Sequence, residues 1–298
     1  MNQHFLFRTF LLLACFALTG SAAAQTIPQD SSVQVSITTT DGNEYVGYIV
    51  DQTPEHISLK TETLGTINIP KKIIKTVQTV RKEQIVDGEY WYDNPYGTRY
   101  FFGPNGYGLR KGEGYYQNAW IFFNQFSYGI TDNFTIGAGI VPLFLFSGTS
   151  TPVWITPKIS VPLSKDKINL GVGGLFAAVL GEDQGSFGVA YGQLTFGPRD
   201  RNLNLGLGYG YAGDDWASTP TVSVSGMYRT SKKLALMTEN YIFDTGDEDL
   251  FYLLSFGMRF IGRRTAIDAG LFFPTADGDF FAVPWLGLNV ALGNPSND

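Results

Sequence analysis

A few residues in this chain have the types and spacing for chemistry. Gly208-Tyr-Gly-Tyr-Ala-Gly213 fits G-x-G-x-x-G, the loop that cradles a dinucleotide pyrophosphate when a strand precedes it and a helix follows. "DTGDEDL" sets Asp244, Asp247, Glu248 and Asp249 on one short stretch, oxygen ligands of the kind Ca²⁺ accepts. Arg259 and Asp268 flank the turn residues Gly262-Arg263, which sets an opposite-charge pair diagonally on neighbouring strands. Histidine occurs at positions 4 and 56, and the single cysteine is Cys15.

Context removes most of these options. "DDWASTPTVSVS" follows Gly213, an acidic loop and another strand where a dinucleotide site needs a helix N-terminus. The alternation of Leu203, Leu205, Leu207, Tyr209 and Tyr211 with Asn204, Gly206, Gly208 and Gly210 is instead that of a strand with one apolar and one small, polar face. The acidic stretch lacks EF-hand spacing; Asp244, Asp247 and Asp249 are the weak metal candidates. An acidic solvated loop meeting divalent ions held by surface lipopolysaccharide is the better reading. His56, alone in a strand, reads as a surface or packed residue. From residue 97 onward there is neither histidine nor cysteine, so a Ser-His or Asp-His catalytic arrangement cannot be built there. No catalytic residue, cofactor or metal is expected, and the chain is expected not to be an enzyme.

The elements that must position these residues are strands. The chain has 298 residues, 44% hydrophobic, 15% aromatic and 16% charged, with 35 glycines, a profile that suits an all-β protein. Residues 1–24 read as a secretory signal: Arg8, then the apolar run Phe10 to Leu18, then Ala22-Ala23-Ala24. Leu12-Leu13-Ala14-Cys15 offers lipoprotein processing as a rival, but Phe16-Ala17-Leu18 continues the apolar core where a polar tether would begin. With Arg8 removed, 20 Lys and Arg stand against 27 Asp and Glu, so nucleic acid is not an expected partner.

Residues 30–82 read as a small β module. "VQVSITT", "EYVGYIV", "HISLKT", "TINIP" and "KKIIKTV" are separated by turn signals, Asp41-Gly42 the strongest. Their order resembles the five-stranded Sm-like and SH3-like barrels. Residues 83–96 read as a linker, and 97–293 as a barrel. Alternating segments lie near 115–129, 134–146, 152–163, 168–180, 187–198, 203–211, 219–229, 233–243, 250–261, 265–273 and 279–292. Eleven is an odd total, and single-chain bacterial barrels have an even one. Short joints such as Thr131-Asp132-Asn133 alternate with longer, acidic ones. With short turns in the periplasm, an ascending strand must precede 115–129, and "GTRYFFGPNGYGL", residues 97–109, is taken as the twelfth.

"WLGLNVALG" near the end is similar to the C-terminal recognition signal of outer-membrane barrels, with Val290 and Leu292 where aromatics are usual. "RYFFGPNGYGLRKGEGYYQN" resembles a family of Gram-negative outer-membrane β-barrel proteins. That resemblance implies a fold and a place, the outer membrane with the front module in the periplasm, and no activity. The expected architecture is thus an all-β, twelve-stranded antiparallel transmembrane barrel preceded by a five-stranded Sm/SH3-like module. Lys158, Asn169, Asn204, Arg229, Arg259, Asp268 and Asn289 are expected to face the lumen. Glycines at 171, 173, 206, 208, 210, 257, 270 and 287 withhold side chains from it, which favours a narrow slot. The function expected is a narrow small-solute channel or a structural or adaptor protein. The alternatives are a barrel enzyme acting on lipid or peptide without a histidine base, and a soluble periplasmic β-protein. Expected partners are outer-membrane lipid and lipopolysaccharide, the barrel assembly machinery and a periplasmic protein.

Overall fold

The computed structural model describes residues 32–144, 150–180, 185–244, 250–276 and 279–293. The signal segment with Cys15, and Asp247 and Asp249 of the acidic stretch, lie outside the described residues. The chain divides into two compact units, Met1–Tyr92 and Asp93–Asp298.

The first unit is a five-stranded antiparallel sheet of β1 (Gln34–Thr39), β2 (Glu44–Gln52), β3 (His56–Thr61), β4 (Gly65–Pro70) and β5 (Ile74–Thr79), in the order β4-β3-β2-β1-β5. Alternate apolar residues from several strands, Val35, Ile37, Ile49, Ile57, Leu59, Ile69 and Val77, meet in one core. The β1–β2 turn forms at Asp41-Gly42, where Gly42 takes φ +88°, a value that favours glycine. The Thr39 hydroxyl and Asn43 N–H groups donate to the Asp41 carboxylate and hold it below the usual carboxylate range. His56 Nδ1 lies 3.0 Å from the Thr53 hydroxyl in the β2–β3 turn. A two-residue hairpin of β6 (Ile85–Val86) and β7 (Glu89–Tyr90) follows.

The second unit is a closed antiparallel barrel. Its strands are β8 (Gly114–Ala119), β9 (Phe123–Gly129), β10 (Phe134–Ile140), β11 (Thr151–Ile155), β12 (Lys158–Ser164), β13 (Ile168–Leu180), β14 (Ser186–Phe196) and β15 (Arg201–Ala212), then β16 (Asp215–Trp216), β17 (Thr221–Ser231), β18 (Leu234–Asp244), β19 (Leu250–Ile261), β20 (Thr265–Ala276), β21 (Asp279–Phe280) and β22 (Val283–Leu292). β11 and β12 both pair with β10 and β13 in one register and form a single stave, interrupted at Thr156-Pro157, where proline has no N–H to give. β16 and β21 only extend hairpins of β15 and β20. Twelve staves result, closed where β22 pairs with β8 from Leu292↔Gly114 to Gly287↔Ala119.

Twelve is reached by a different route from the one the sequence suggests. Residues 97–109 are not a strand; apart from one isolated bridge, Arg99 to Pro104, they have no ladder. Gly97, Gly103, Pro104, Gly106 and Gly108 leave that segment little strand propensity. The stretch expected as one strand at 115–129 is two, β8 and β9. They fold back at Trp120 and Ile121, both at positive φ (49° and 69°). Asn118 and Asn124 close this turn with side-chain amides donated to the carbonyls of Ile121 (3.0 Å) and Phe122 (2.9 Å). Aromatic residues run straight through it, so periodicity hides the break.

The wall's two faces differ as the alternation requires. Leu203, Leu205, Leu207 and Tyr209 of β15 are exposed on the outside, and the same holds for Leu250, Tyr252, Leu254, Phe256 and Phe260 of β19. Removal of a module core side chain is the simplest check on the packing described here. Leu59→Ala is expected to cost about 2–5 kcal/mol, measured as a lowered urea midpoint for the N-terminal unit of the full chain in detergent.

Candidate functional site

The inner face of the barrel is cut away by glycine, and the space is filled by the chain itself. Residues Tyr96 to Leu109 run inside the wall, and Tyr96, Tyr100, Phe101 and Asn105 are fully buried there. A Cβ on Gly257 or Gly270 would strike the Phe101 ring at 2.8 and 2.7 Å, and one on Gly171 would meet Gly106 Cα at 3.1 Å. These glycines are the seat of the plug.

Because the plug has almost no secondary structure, its backbone groups need partners from the wall. Glu239 of β18 accepts the N–H groups of Phe102 (3.0 Å) and Gly103 (2.9 Å), and the Tyr241 hydroxyl donates to it at 2.8 Å. Thr195 of β14 accepts Gly106 N–H at 2.6 Å, and Thr135 of β10 accepts Leu109 N–H at 2.9 Å. Lys158 of β12 donates to the Tyr107 carbonyl. Arg199, in the β14–β15 turn, donates to the Gly108 carbonyl at 2.7 Å and lies over the Tyr107 ring. Gln117 of β8 donates to the Phe101 carbonyl at 3.0 Å. Contacts therefore come from staves on all sides of the lumen.

Arg259 is the densest node. Its Nε and Nη2 hold Asp268 at 2.6 and 3.0 Å, while Nη1 and Nη2 donate to the carbonyls of Tyr96 (2.5 Å) and Tyr100 (2.7 Å). The guanidinium also stacks 4.6 Å from the Tyr96 ring centre, and Asn289 donates to Asp268 at 3.0 Å. Arg259 and Asp268 are direct register partners, not the diagonal neighbours that their turn suggests. The β19–β20 ladder closes at Ile261↔Ala266, and that register sets Arg259 opposite Asp268. With both groups buried, the pair is worth little against an apolar substitute, but either half left alone is costly.

The remaining lumen candidates sort by partner. Lys158, Asn169, Asn204, Arg229, Arg259, Asp268 and Asn289 are each at most 5% exposed. Asn204 accepts from Thr195 (2.7 Å) and donates to Gln193 (2.5 Å), orienting the threonine that holds Gly106. The Asn169 backbone packs against Gly106. Arg229 is different: it pairs with Asp200 at 2.6 Å and donates to the Lys232 carbonyl, so it ties two adjacent turns together at the rim. Asp244 is exposed at the end of β18. Among the described residues no group of three or more His, Cys, Asp or Glu gathers to hold a metal.

Glu239 holds the plug's turn at Phe102 and Gly103, yet it is not among the residues the sequence singles out. Its signal is plain in hindsight: a carboxylate in the middle of "LALMTENYIFD", on the parity of Ala235 and Met237, belongs on the inner face of a barrel whose outer face is apolar.

No family model matches the chain, and no curated protein matches it. Among solved structures, the NanC porin is similar at 10% identity and a TM-score of 0.41, over 61% of this chain and 98% of its own. OmpT of Vibrio cholerae, an outer-membrane protein, is similar at 13% identity and 0.32, over 90% and 99%. OccK11 (OpdR) of Pseudomonas aeruginosa is similar at 13% identity and 0.33, over 88% and 96%. Likeness at this level says nothing about cargo.

The Arg259 node yields a direct test. Arg259→Met is expected to destabilise the folded barrel by about 3–5 kcal/mol, because Asp268 is left buried and unpaired. The double variant Arg259→Met/Asp268→Leu should recover a large part of that loss. The midpoint of the heat-induced gel shift of the purified barrel reports both.

Proposed function

We propose that this chain is an outer-membrane β-barrel held shut by its own internal segment, a gated conduit and not a standing pore. The observation that carries the reading is the plug: Tyr96 to Leu109 fills the lumen and is bonded to the wall around it. Twelve staves enclose a lumen wider than eight-stranded barrels fill with side chains and narrower than the sixteen- to eighteen-stranded channels. A chain segment is the natural filler for that intermediate bore.

Support for the membrane comes from the outside of the wall. β13 to β15 and β17 to β20 are 11 to 13 residues long and expose apolar side chains outward. At about 3.3 Å per residue and a tilt near 40° they span roughly 28–33 Å, enough for the ~25 Å apolar band of such barrels. The barrel's first and last strands meet at the end that carries the short turns. By the loop-length rule that end is the periplasmic one, which supports the reading of the N-terminal unit as periplasmic. Its meander, with β5 returning beside β1, favours the Sm/SH3-like reading and a protein partner there. Outer-membrane lipid, lipopolysaccharide and the barrel assembly machinery are the partners that this location entails. Glu239 and Asp268, the carboxylates of the buried lumen, are taken up by plug and arginine contacts, which leaves the conduit reading ahead of an enzyme acting on lipid or peptide.

Magnitude decides how the gate works. About a dozen hydrogen bonds join plug and wall; at about 0.5–1.5 kcal/mol net each, they sum to the order of 10 kcal/mol. Thermal opening at that cost is negligible, so a partner or a membrane event must drive it. In planar bilayers the native chain is expected to hold a flat baseline. Replacing residues 97–109 with a Gly-Ser linker of equal length should produce discrete conductance steps. Equal conductance from both proteins overturns the plug reading.

A further inference from the structure

The lumen has two tiers, and the one above the plug is apolar. On the parity set by Glu239 and Arg259, the inward residues towards the long-loop end are Tyr241 and Phe243 on β18 and Phe251 and Leu253 on β19. Leu175 and Val179 continue this face on β13, on the parity of the buried Ala177. These side chains are half-buried; Leu175 packs against Val141, Trp154 and Ala177 and Tyr241 bonds Glu239, while Phe243, Phe251, Leu253 and Val179 continue the surface above them. Phe272 and Trp285 form the floor and meet the plug's Phe101 edge-on at ring distances of 5.3 and 5.8 Å. On β13, β18 and β19 no inward position above Glu239 carries a charge; Asp215 of β16, opposite Ala212, stands at the rim. Water-filled porin channels have polar interiors; an apolar interior surface marks a site for an apolar ligand.

The rim of this chamber is low on one side. β8, β9 and β10 have 6, 7 and 7 residues, which at the same rise and tilt cover only roughly 15–18 Å of the ~25 Å apolar band. Their lower ends are level with their neighbours, since Gly114 pairs with Leu292, so the shortfall is at the top. The β8–β9 tip is bonded to the middle of the wall: Trp120 donates its backbone N–H to Leu286 and its indole N–H to Pro284, while β20 continues beyond that level to Ala276. The tip presents Ile121 at 78% exposure, with Phe122 and Phe123 beside it. Such a sill lies within the membrane's hydrocarbon, not above it.

We propose that the upper chamber binds one long acyl chain, admitted over the β8–β9 sill from the surrounding leaflet. The proposal rests on the membrane-barrel reading and names the class of cargo for the conduit. A single extended chain suits the site because the upper inward faces of β13, β18 and β19 are apolar, the nearest inward charge above Glu239 is Asp215 at the rim, and the low sill presents exposed Ile121, Phe122 and Phe123. The head group stays at the rim.

Two glycines supply the test. Gly210 of β15 faces the chamber, and a Cβ there would meet only the Gly188 carbonyl, at 3.7 Å, so a larger side chain enters free space. Gly192 of β14 points to the outside, and a Cβ there meets nothing within 4 Å. Full-length protein in non-ionic detergent is titrated with dansyl-undecanoic acid, followed by its fluorescence. Native protein and Gly192→Phe should bind saturably and alike, and Gly210→Phe about tenfold more weakly or not at all. Displacement by palmitate and not by a diacyl phospholipid identifies a free fatty acid as the source of the chain, and the reverse identifies membrane lipid. Either supports the site. No saturable binding by the native chain, or equal affinity in both variants, overturns it. Flotation of the native protein with liposomes is scored separately, so failure of the membrane reading is told apart from failure of the chamber.

Discussion

An irregular backbone enclosed in a barrel must find a partner for every N–H and C=O, and this requirement organises the rest of the structure. Tyr96 to Leu109 cannot bond to itself in a ladder. Local bonds of its own, such as Tyr100 N–H to the Gly103 carbonyl and Asn105 N–H to the Thr98 carbonyl, satisfy part of it, and side chains from the wall meet the rest: Glu239 at Phe102 and Gly103, Thr195 at Gly106, Lys158 at Tyr107, Thr135 at Leu109. Buried charge in a lumen is expensive unless it is fully bonded. Here the bonds it needs and the bonds the plug needs are the same bonds, so wall charges and plug backbone justify each other.

Steric room follows from the same constraint. Gly171, Gly257 and Gly270 have plug atoms where a Cβ would stand, and the plug in turn is glycine-rich where it meets the wall at Gly103, Gly106 and Gly108. Two surfaces stripped of side chains approach closely enough for side chains further out to reach backbone. Arg259 exploits this closeness by joining a carboxylate on the next strand to two plug carbonyls and a tyrosine ring. A lysine would lack the fork that makes those contacts simultaneously.

What was legible in the sequence is what a period of two can encode. Strands such as "LNLGLGYGYA" show their facing directly, and the burial of Asn204 and the exposure of Leu205 follow from it. The total of twelve came from parity and loop length, both global constraints, so it survived an error in the local assignment. That error has a physical source. "GTRYFFGPNGYGL" is aromatic and glycine-rich because it lines a lumen from within, and a lumen filler has nearly the composition of a weak strand. The break at Trp120 was hidden because positive φ at a non-glycine residue leaves no compositional trace. Whether the lumen was open could not be read either, since that depends on which distant backbone occupies the space the glycines leave.

The two tiers of the lumen bear on what the plug separates. Its polar side contacts, Lys158, Thr195 and Glu239, lie around and below the middle of the wall, whereas its Phe101 faces the aromatic floor of the upper chamber. The segment is thus amphipathic across its own thickness, without being a helix or a strand. A plug of that kind is stabilised in place by both tiers at once: water-avoiding contact above, charge-assisted hydrogen bonds below. Displacing it would bare Glu239, Lys158 and the Arg259 fork to the lumen, and these groups tolerate exposure only if water follows. Displacing the plug would therefore join an apolar surface that needs no water to a polar passage that requires it, and the plug is the boundary between the two.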